Sequence, residues 1–189
     1  MKLALIFPGI GYHADKPLLY YSTRLARNAG FDIRTIQYDP FPDDALGSRE
    51  RMIECVRQAL DAAEAQFGSI DFTQYEELLF ISKSIGTAVA SLFADRHGLT
   101  PFHFYFTPVD ASLPRLQPRG IVFHGTADPL ATTDLVAETC REKELPLHLT
   151  GHGNHSLETE QVLDDVRELR HVLELCEHYL KTLQKTPRN

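Results

Sequence analysis

The chain has 189 residues, 43% hydrophobic and 24% charged, enough for one full core and too few to expect a second domain. Its formal net charge of -7 excludes the basic face that a nucleic-acid partner needs and disfavours anionic membrane surfaces. No stretch approaches the ~20 apolar residues that span a bilayer. The cysteines, Cys55, Cys140 and Cys176, all fall in helix-like segments and read as reduced packing residues of a cytoplasmic protein.

Strand-like and helix-like segments alternate along the chain. The apolar run over 2–7 reads as a buried first strand. It is too short for the apolar region of a secretion signal and ends in Pro8-Gly9 with no small-x-small cleavage site. A helix is expected over 16–29, with Leu18, Leu19, Tyr21 and Leu25 on one face and Gly30 as its stop. A short strand over 32–37 and a proline-containing loop over 38–47 follow. Ser48 caps a helix running to about 67, where Met52, Ile53, Val56 and Leu60 recur at helical spacing.

Strands over 77–82, 102–107, 120–124 and 146–149 alternate with helices over 84–97, 133–144 and 156–183. The last is expected to be amphipathic, burying Val162, Leu163, Val166, Leu169, Leu173, Cys176, Leu180 and Leu183. Continuous apolar strands that alternate with helices imply an α/β three-layer α/β/α sandwich around a mostly parallel six-stranded sheet, forming a single domain over 1–189.

The most informative stretch is Leu78-Leu79-Phe80-Ile81-Ser82-Lys83-Ser84-Ile85-Gly86-Thr87-Ala88. An apolar strand ends in small-x-Ser-x-Gly and turns at once into a helix rich in small residues. That is the pattern of a nucleophile elbow, a tight turn that holds a serine hydroxyl clear of the backbone. Ser82 departs from the usual glycine but is small. Two further strands end near residues of matching chemistry: Asp128 in the loop after His124-Gly125-Thr126-Ala127, and His155 in the glycine-rich loop Gly151-His152-Gly153-Asn154-His155.

A serine needs a base within hydrogen-bond reach, and a histidine base needs an acid to fix its tautomer. The order Ser84, Asp128, His155, each just past a strand, resembles the α/β-hydrolase superfamily, and specifically its small, lidless, dienelactone-hydrolase-like serine esterases. The resemblance spans nearly the whole chain. It implies hydrolysis of small soluble carboxylic esters or thioesters through an acyl-serine, with no cofactor and no metal. It also implies an oxyanion hole from the backbone N–H groups of Ile85 and Ile10, the latter in Pro8-Gly9-Ile10-Gly11-Tyr12, where the superfamily commonly has His-Gly. Its usual leading antiparallel strands have no counterpart here.

The superfamily's lid usually enters where residues 108–119 lie. That segment is too short for a helical cap, so an open cleft and short acyl groups are expected. Gly11, Tyr12, His13 and Lys16 continue the oxyanion loop as possible substrate-binding residues, and Gly11 is also the alternative second donor.

Competing readings attach to several of these residues. Ser84 and Asp128 could be helix N-caps, Asp128 with Pro129 at the first helical position. Asp110, past the preceding strand, is the rival acid. His124, His152, His155 and Asp128 could hold zinc in a metal-dependent hydrolase, although metal would occupy the base that Ser84 needs. Otherwise His124 reads as a strand-end residue bonded to nearby backbone. Lys83 reads either as a site cation or as directed away from the site by the elbow, and Lys16 as a solvated first-turn lysine. The other alternative is a hydrolase-fold protein that binds a ligand without turnover.

Overall fold

A computed structural model describes residues 1–45 and 47–183. Six parallel strands form one sheet in the order β2-β1-β3-β4-β5-β6. They are β1 (Lys2–Phe7), β2 (Asp32–Thr35), β3 (Glu77–Lys83), β4 (Phe102–Phe106), β5 (Gly120–Gly125) and β6 (Leu147–Thr150). The helices are α1 (Pro17–Asn28), α2 (Arg49–Phe67), α3 (Ile85–Arg96), α4 (Thr133–Glu142) and α5 (Val162–Leu183). The sheet is as expected, with both faces covered, because parallel strands need crossover helices on both sides.

The period of two sorts β1 and β3 between two cores. Ala4, Ile6, Leu79 and Ile81 join Leu18, Leu19, Val172 and Cys176 in the layer shared with α1 and α5. Leu3, Leu5, Phe7 and Phe80 join Ala59, Ala63, Val89 and Phe93 in the layer shared with α2 and α3. All three cysteines are free and buried. Residues 110–115 form a short 3₁₀ turn packed near α3 and α4, so no cap rises from this connection.

Two helix starts show how local chemistry sets boundaries. Ser48 caps α2 as expected, its Oγ accepting from Arg51 N at 3.2 Å. The last helix starts at Val162 rather than 156. Asn154 Oδ1 accepts from the N–H groups of Ser156 at 2.7 Å and Glu158 at 3.2 Å, and Leu157 has φ 60°. These local bonds compete with helix formation. Thr159 N and Oγ1 then donate to Asp165 Oδ1, fastening the loop to the first turn of α5.

The apolar stripe of α5 is also only half buried. Val172, Cys176 and Leu180 are in the core, whereas Val162, Leu163 and Val166 are exposed at 73%, 71% and 58%. Among the described residues no helix is long and apolar enough to cross a membrane.

Candidate active site

The strands are parallel, so all their C-terminal ends lie at one edge of the sheet. Ser84 follows β3 there with φ 56° and ψ -127°, a conformation that L-residues adopt only where the surroundings impose it. What imposes it is close backbone packing. A Cβ on Gly86 would lie 2.2 Å from Phe7 O and 2.6 Å from Pro8 O, and one on Gly9 would lie 2.8 Å from Ser84 Cβ. Only glycine lets the start of α3 come so near the end of β1. Ser82 is accommodated because its Oγ donates to Phe104 O across the sheet at 3.2 Å.

Ser84 holds the N-cap position of α3, yet its hydroxyl makes no capping bond. Its carbonyl instead accepts from Thr87 N and Thr87 Oγ1. The side chain therefore has no structural task in the helix start. The residue is 2% exposed.

Asp128 and His155 meet. His155 Nδ1 lies 2.7 Å from Asp128 Oδ2, and Asp128 Oδ1 accepts from Leu130 N at 2.9 Å. The carboxylate is thus held at both oxygens, and with Nδ1 donating to it His155 keeps its lone pair on Nε2. Nε2 is buried and has no hydrogen-bond partner among the described residues, so no bond joins it to Ser84. Thr107 Oγ1 donates to His155 O at 2.9 Å and fixes the loop from the adjacent strand end. Burial lowers the affinity of His155 for a proton, the hydrogen bond to Asp128 opposes this, and the charge of Lys83 adds to the lowering.

Asp128 is not a helix cap: α4 begins at Thr133, with Thr132 in the capping position. Asp110 lies elsewhere, its Oδ1 accepting from Thr132 N at 3.3 Å. His124 bonds the side chain of Thr133 through Nε2 at 3.1 Å rather than nearby backbone, and its Nδ1 is 3.9 Å from Asp128 Oδ2. His152 is exposed. No group of His, Cys, Asp and Glu among the described residues is arranged to hold a metal ion.

The loop after β1 is a tight turn closed by Gly9 and Tyr12, whose N–H and C=O groups pair in both directions at 3.3 Å. Gly11 sits at its third position with φ 67°, as a type II turn requires. The N–H groups of Ile10 and Gly11 take no part in this closure. Across from them, Ile85 is the first residue of α3, where helix N–H groups have no intrahelical partner.

Tyr12 has a role that sequence reasoning missed. It is buried, and its hydroxyl accepts from Leu18 N at 3.2 Å, supplying the cap that Lys16 does not give α1. His13 and Lys16 are exposed. Beside Tyr12 lies a predominantly apolar cavity of about 330 Å³ lined by Leu18, Leu157, Val166, Leu169 and Val172 among others.

Lys83 departs most from expectation. It is not directed away from the site: it is completely buried, on the same face of β3 as Leu79 and Ile81, with Nζ 4.9 Å from the centre of the Tyr12 ring. Among the described residues Nζ has no hydrogen-bond partner. Burial pulls the ammonium down to about 7, Asp128 opposing this and Lys16 adding to it.

Neither a protein-family model nor a curated protein sequence matches the chain. Solved structures do. A Xanthomonas campestris pv. campestris protein assigned to the α/β hydrolase superfamily superposes with TM-score 0.69 at 13% identity, covering 96% of this chain and 98% of that one. XC6422 from Xanthomonas campestris, an α/β serine hydrolase without a lid, gives 0.64 at 16% identity, covering 99% and 84%. Est1E from Butyrivibrio proteoclasticus with ferulic acid bound gives 0.68 at 11% identity, covering 96% and 89%. The chain therefore has the α/β-hydrolase fold, and among the described residues no cap rises from the 108–119 connection.

Proposed function

We propose that this protein is a serine hydrolase that cleaves small, soluble carboxylic esters or thioesters. The observation that carries the reading is the Asp128–His155 pair, held at 2.7 Å with Nε2 left unpartnered. A strained serine whose hydroxyl caps nothing, at the same sheet edge, completes the argument. The hydrolases and esterases among the solved structures of this fold support the reaction class.

The chemistry follows from the groups present. Ser84 Oγ attacks the carbonyl carbon while His155 Nε2 takes its proton, and Asp128 stabilises the imidazolium. The oxyanion forms against the N–H groups of Ile85 and Ile10, with Gly11 the alternative to Ile10. His155 then protonates the departing alcohol or thiol, leaving acyl-Ser84. A water deprotonated by His155 attacks this ester, releases the acid and restores the serine. Each step uses residues of this chain and water alone.

The alternative is a ligand-binding protein without turnover. One observation favours it: no hydrogen bond joins Nε2 to Ser84. Such bonds often form only with substrate in place. A fluorophosphonate probe separates the two readings. It should label the wild type at Ser84 and leave Ser84→Ala unlabelled with its fold intact. No adduct, or one at Ser82, would overturn the nucleophile assignment.

A further inference from the structure

A lysine side chain is seldom buried without a partner, because a desolvated ammonium is costly. Lys83 is such a residue, and it adjoins the nucleophile. The alternation of β3 explains its direction. Leu79 and Ile81 point into the layer under α1 and α5, so Lys83 does too, and Tyr12 closes over it. The same strand position brings it beside the His155 loop. Lys83 pairs with Phe106 across the sheet, and Thr107, the next residue, holds His155 O.

Three elements contribute the titratable groups whose charges it meets: Asp128 from the loop after β5, Glu158 from the loop before α5, and Lys16 from the loop before α1. His155 senses the charges of both Lys83 and Asp128, and His124, at the end of β5, senses those of Asp128, His155 and Asp110. Tyr12 contributes only its ring and a neutral hydroxyl, which burial keeps protonated up to about 12.

We propose that Lys83 is a positioning residue of the hydrolytic site: an interior ammonium, shut beneath Tyr12 without a hydrogen bond, that keeps His155 in its proton-accepting form. The role rests on the reading of Ser84, Asp128 and His155 as an acyl-transfer site.

Burial favours the neutral imidazole of His155, and the bond to Asp128 works against it. A buried carboxylate at 2.7 Å attracts a proton to His155, and a protonated His155 cannot serve as the base. A second cation in the same low-dielectric region counters that attraction without touching the imidazole. Below neutral pH, where histidines gain their protons, Lys83 is charged, so the opposition acts in the range where it is needed. His155 rather than Lys83 is the base in this reading, because Asp128 holds its Nδ1 and leaves Nε2 to accept the proton.

The test reads His155 directly, without activity. The ring resonances of the protein's 9 histidines are followed by NMR across pH, and His155 is assigned by its loss in His155→Gln. Lys83→Met and Lys83→Gln both remove the charge but differ in shape and polarity. Each is expected to raise the pH at which His155 titrates by on the order of one unit, as removal of a cation several ångströms away does at an effective dielectric of about 20. The acid limb of kcat/KM on a soluble ester should move to higher pH with it.

A His155 titration that stays at the wild-type pH in Lys83→Met would overturn the proposal. So would a shift in only one of two folded variants, which would point to packing rather than charge. Failure of Lys83→Met to fold would also overturn it, since the ammonium would then be part of the framework under Tyr12. Failure of the serine-hydrolase reading looks different: Ser84 would resist the fluorophosphonate while the His155 titration still moved.

Discussion

Lys83→Met also perturbs stability, and the structure sets the size of the effect. Lys83 is completely buried, and its proton is lost near pH 7 in the fold against an ordinary value of 10.5. Between those two values the unfolded chain holds a proton that the folded chain has released. Stability therefore rises with pH across that window and is lost again as pH falls back towards 7. Integrated from pH 7 to pH 9, this single group contributes about 2 kcal/mol, while below about pH 6 both states are protonated and its contribution is flat. Met is close to Lys in length and needs no counter-charge, and apolar replacements of buried ions are often neutral or stabilising. Lys83→Met should thus be more stable than the wild type at pH 7, by a margin that shrinks by about 2 kcal/mol at pH 9. Urea unfolding of both proteins at pH 6, 7, 8 and 9 gives the margin directly. Tyrosine and cysteine titrations common to both proteins cancel in the difference. A margin that stays constant over the whole range would refute the reasoning, because it would mean that Lys83 keeps its proton in the fold. A Lys83→Met protein that is less stable at every pH would show that the ammonium finds a partner.

Three further outcomes test the site around it. Asp128→Asn should lower kcat by about 10⁴, the cost of the wrong histidine tautomer in a serine-protease triad, while Asp110→Asn changes it little; steady-state ester hydrolysis checks the ranking. Gly86→Ala should destabilise the fold by about 3 kcal/mol in denaturant unfolding, since its methyl group would meet the backbone oxygens of Phe7 and Pro8. Esters with acyl groups of two to four carbons should show kcat/KM at least equal to those of eight or more, with no jump above the critical micelle concentration. A steep rise with chain length would instead mean that the 330 Å³ cavity between Tyr12 and Val172 takes up the chain.

The sheet was legible because burial on both faces makes each strand a continuous apolar run, and six such runs separated by helix-length segments leave few alternatives. The elbow was legible because Gly86 and Ser84 are local requirements of one turn. Part of what escaped notice depends on side-chain bonds that apolar spacing does not record. The start of α5 could not be read from its apolar spacing, which continues backwards to Val162 and beyond, because Asn154 and Asp165 decide where the helix begins. The cap supplied to α1 by Tyr12 is invisible in a search for Ser, Thr, Asp or Asn before a helix. Lys83 was the most instructive miss. Charge alone suggests solvent, but Lys83 is the third member of the series Leu79, Ile81, Lys83, and a period of two directs it into the core. That signal was present in the sequence.

The elbow also shows which parts of a sequence pattern carry steric necessity. Small-x-Ser-x-Gly has two small positions around the serine, and here they differ in kind. Gly86 faces backbone oxygens of the preceding strand end at distances that no side chain could share, so its requirement comes from the crossing of α3 over β1. Ser82 points across the sheet, where a hydroxyl fits and finds an acceptor in Phe104 O. The departure at Ser82 therefore leaves the turn intact, because a polar side chain is satisfied there rather than merely tolerated. The same comparison applies to the departure at Pro8. A proline lacks only an N–H and a range of φ, and the oxyanion donors proposed here are Ile10 or Gly11 and Ile85, none of which is the residue replaced. Neither departure removes a group that acyl transfer uses. What then speaks against turnover is the open hydrogen bond between His155 and Ser84, which the fluorophosphonate reaction tests.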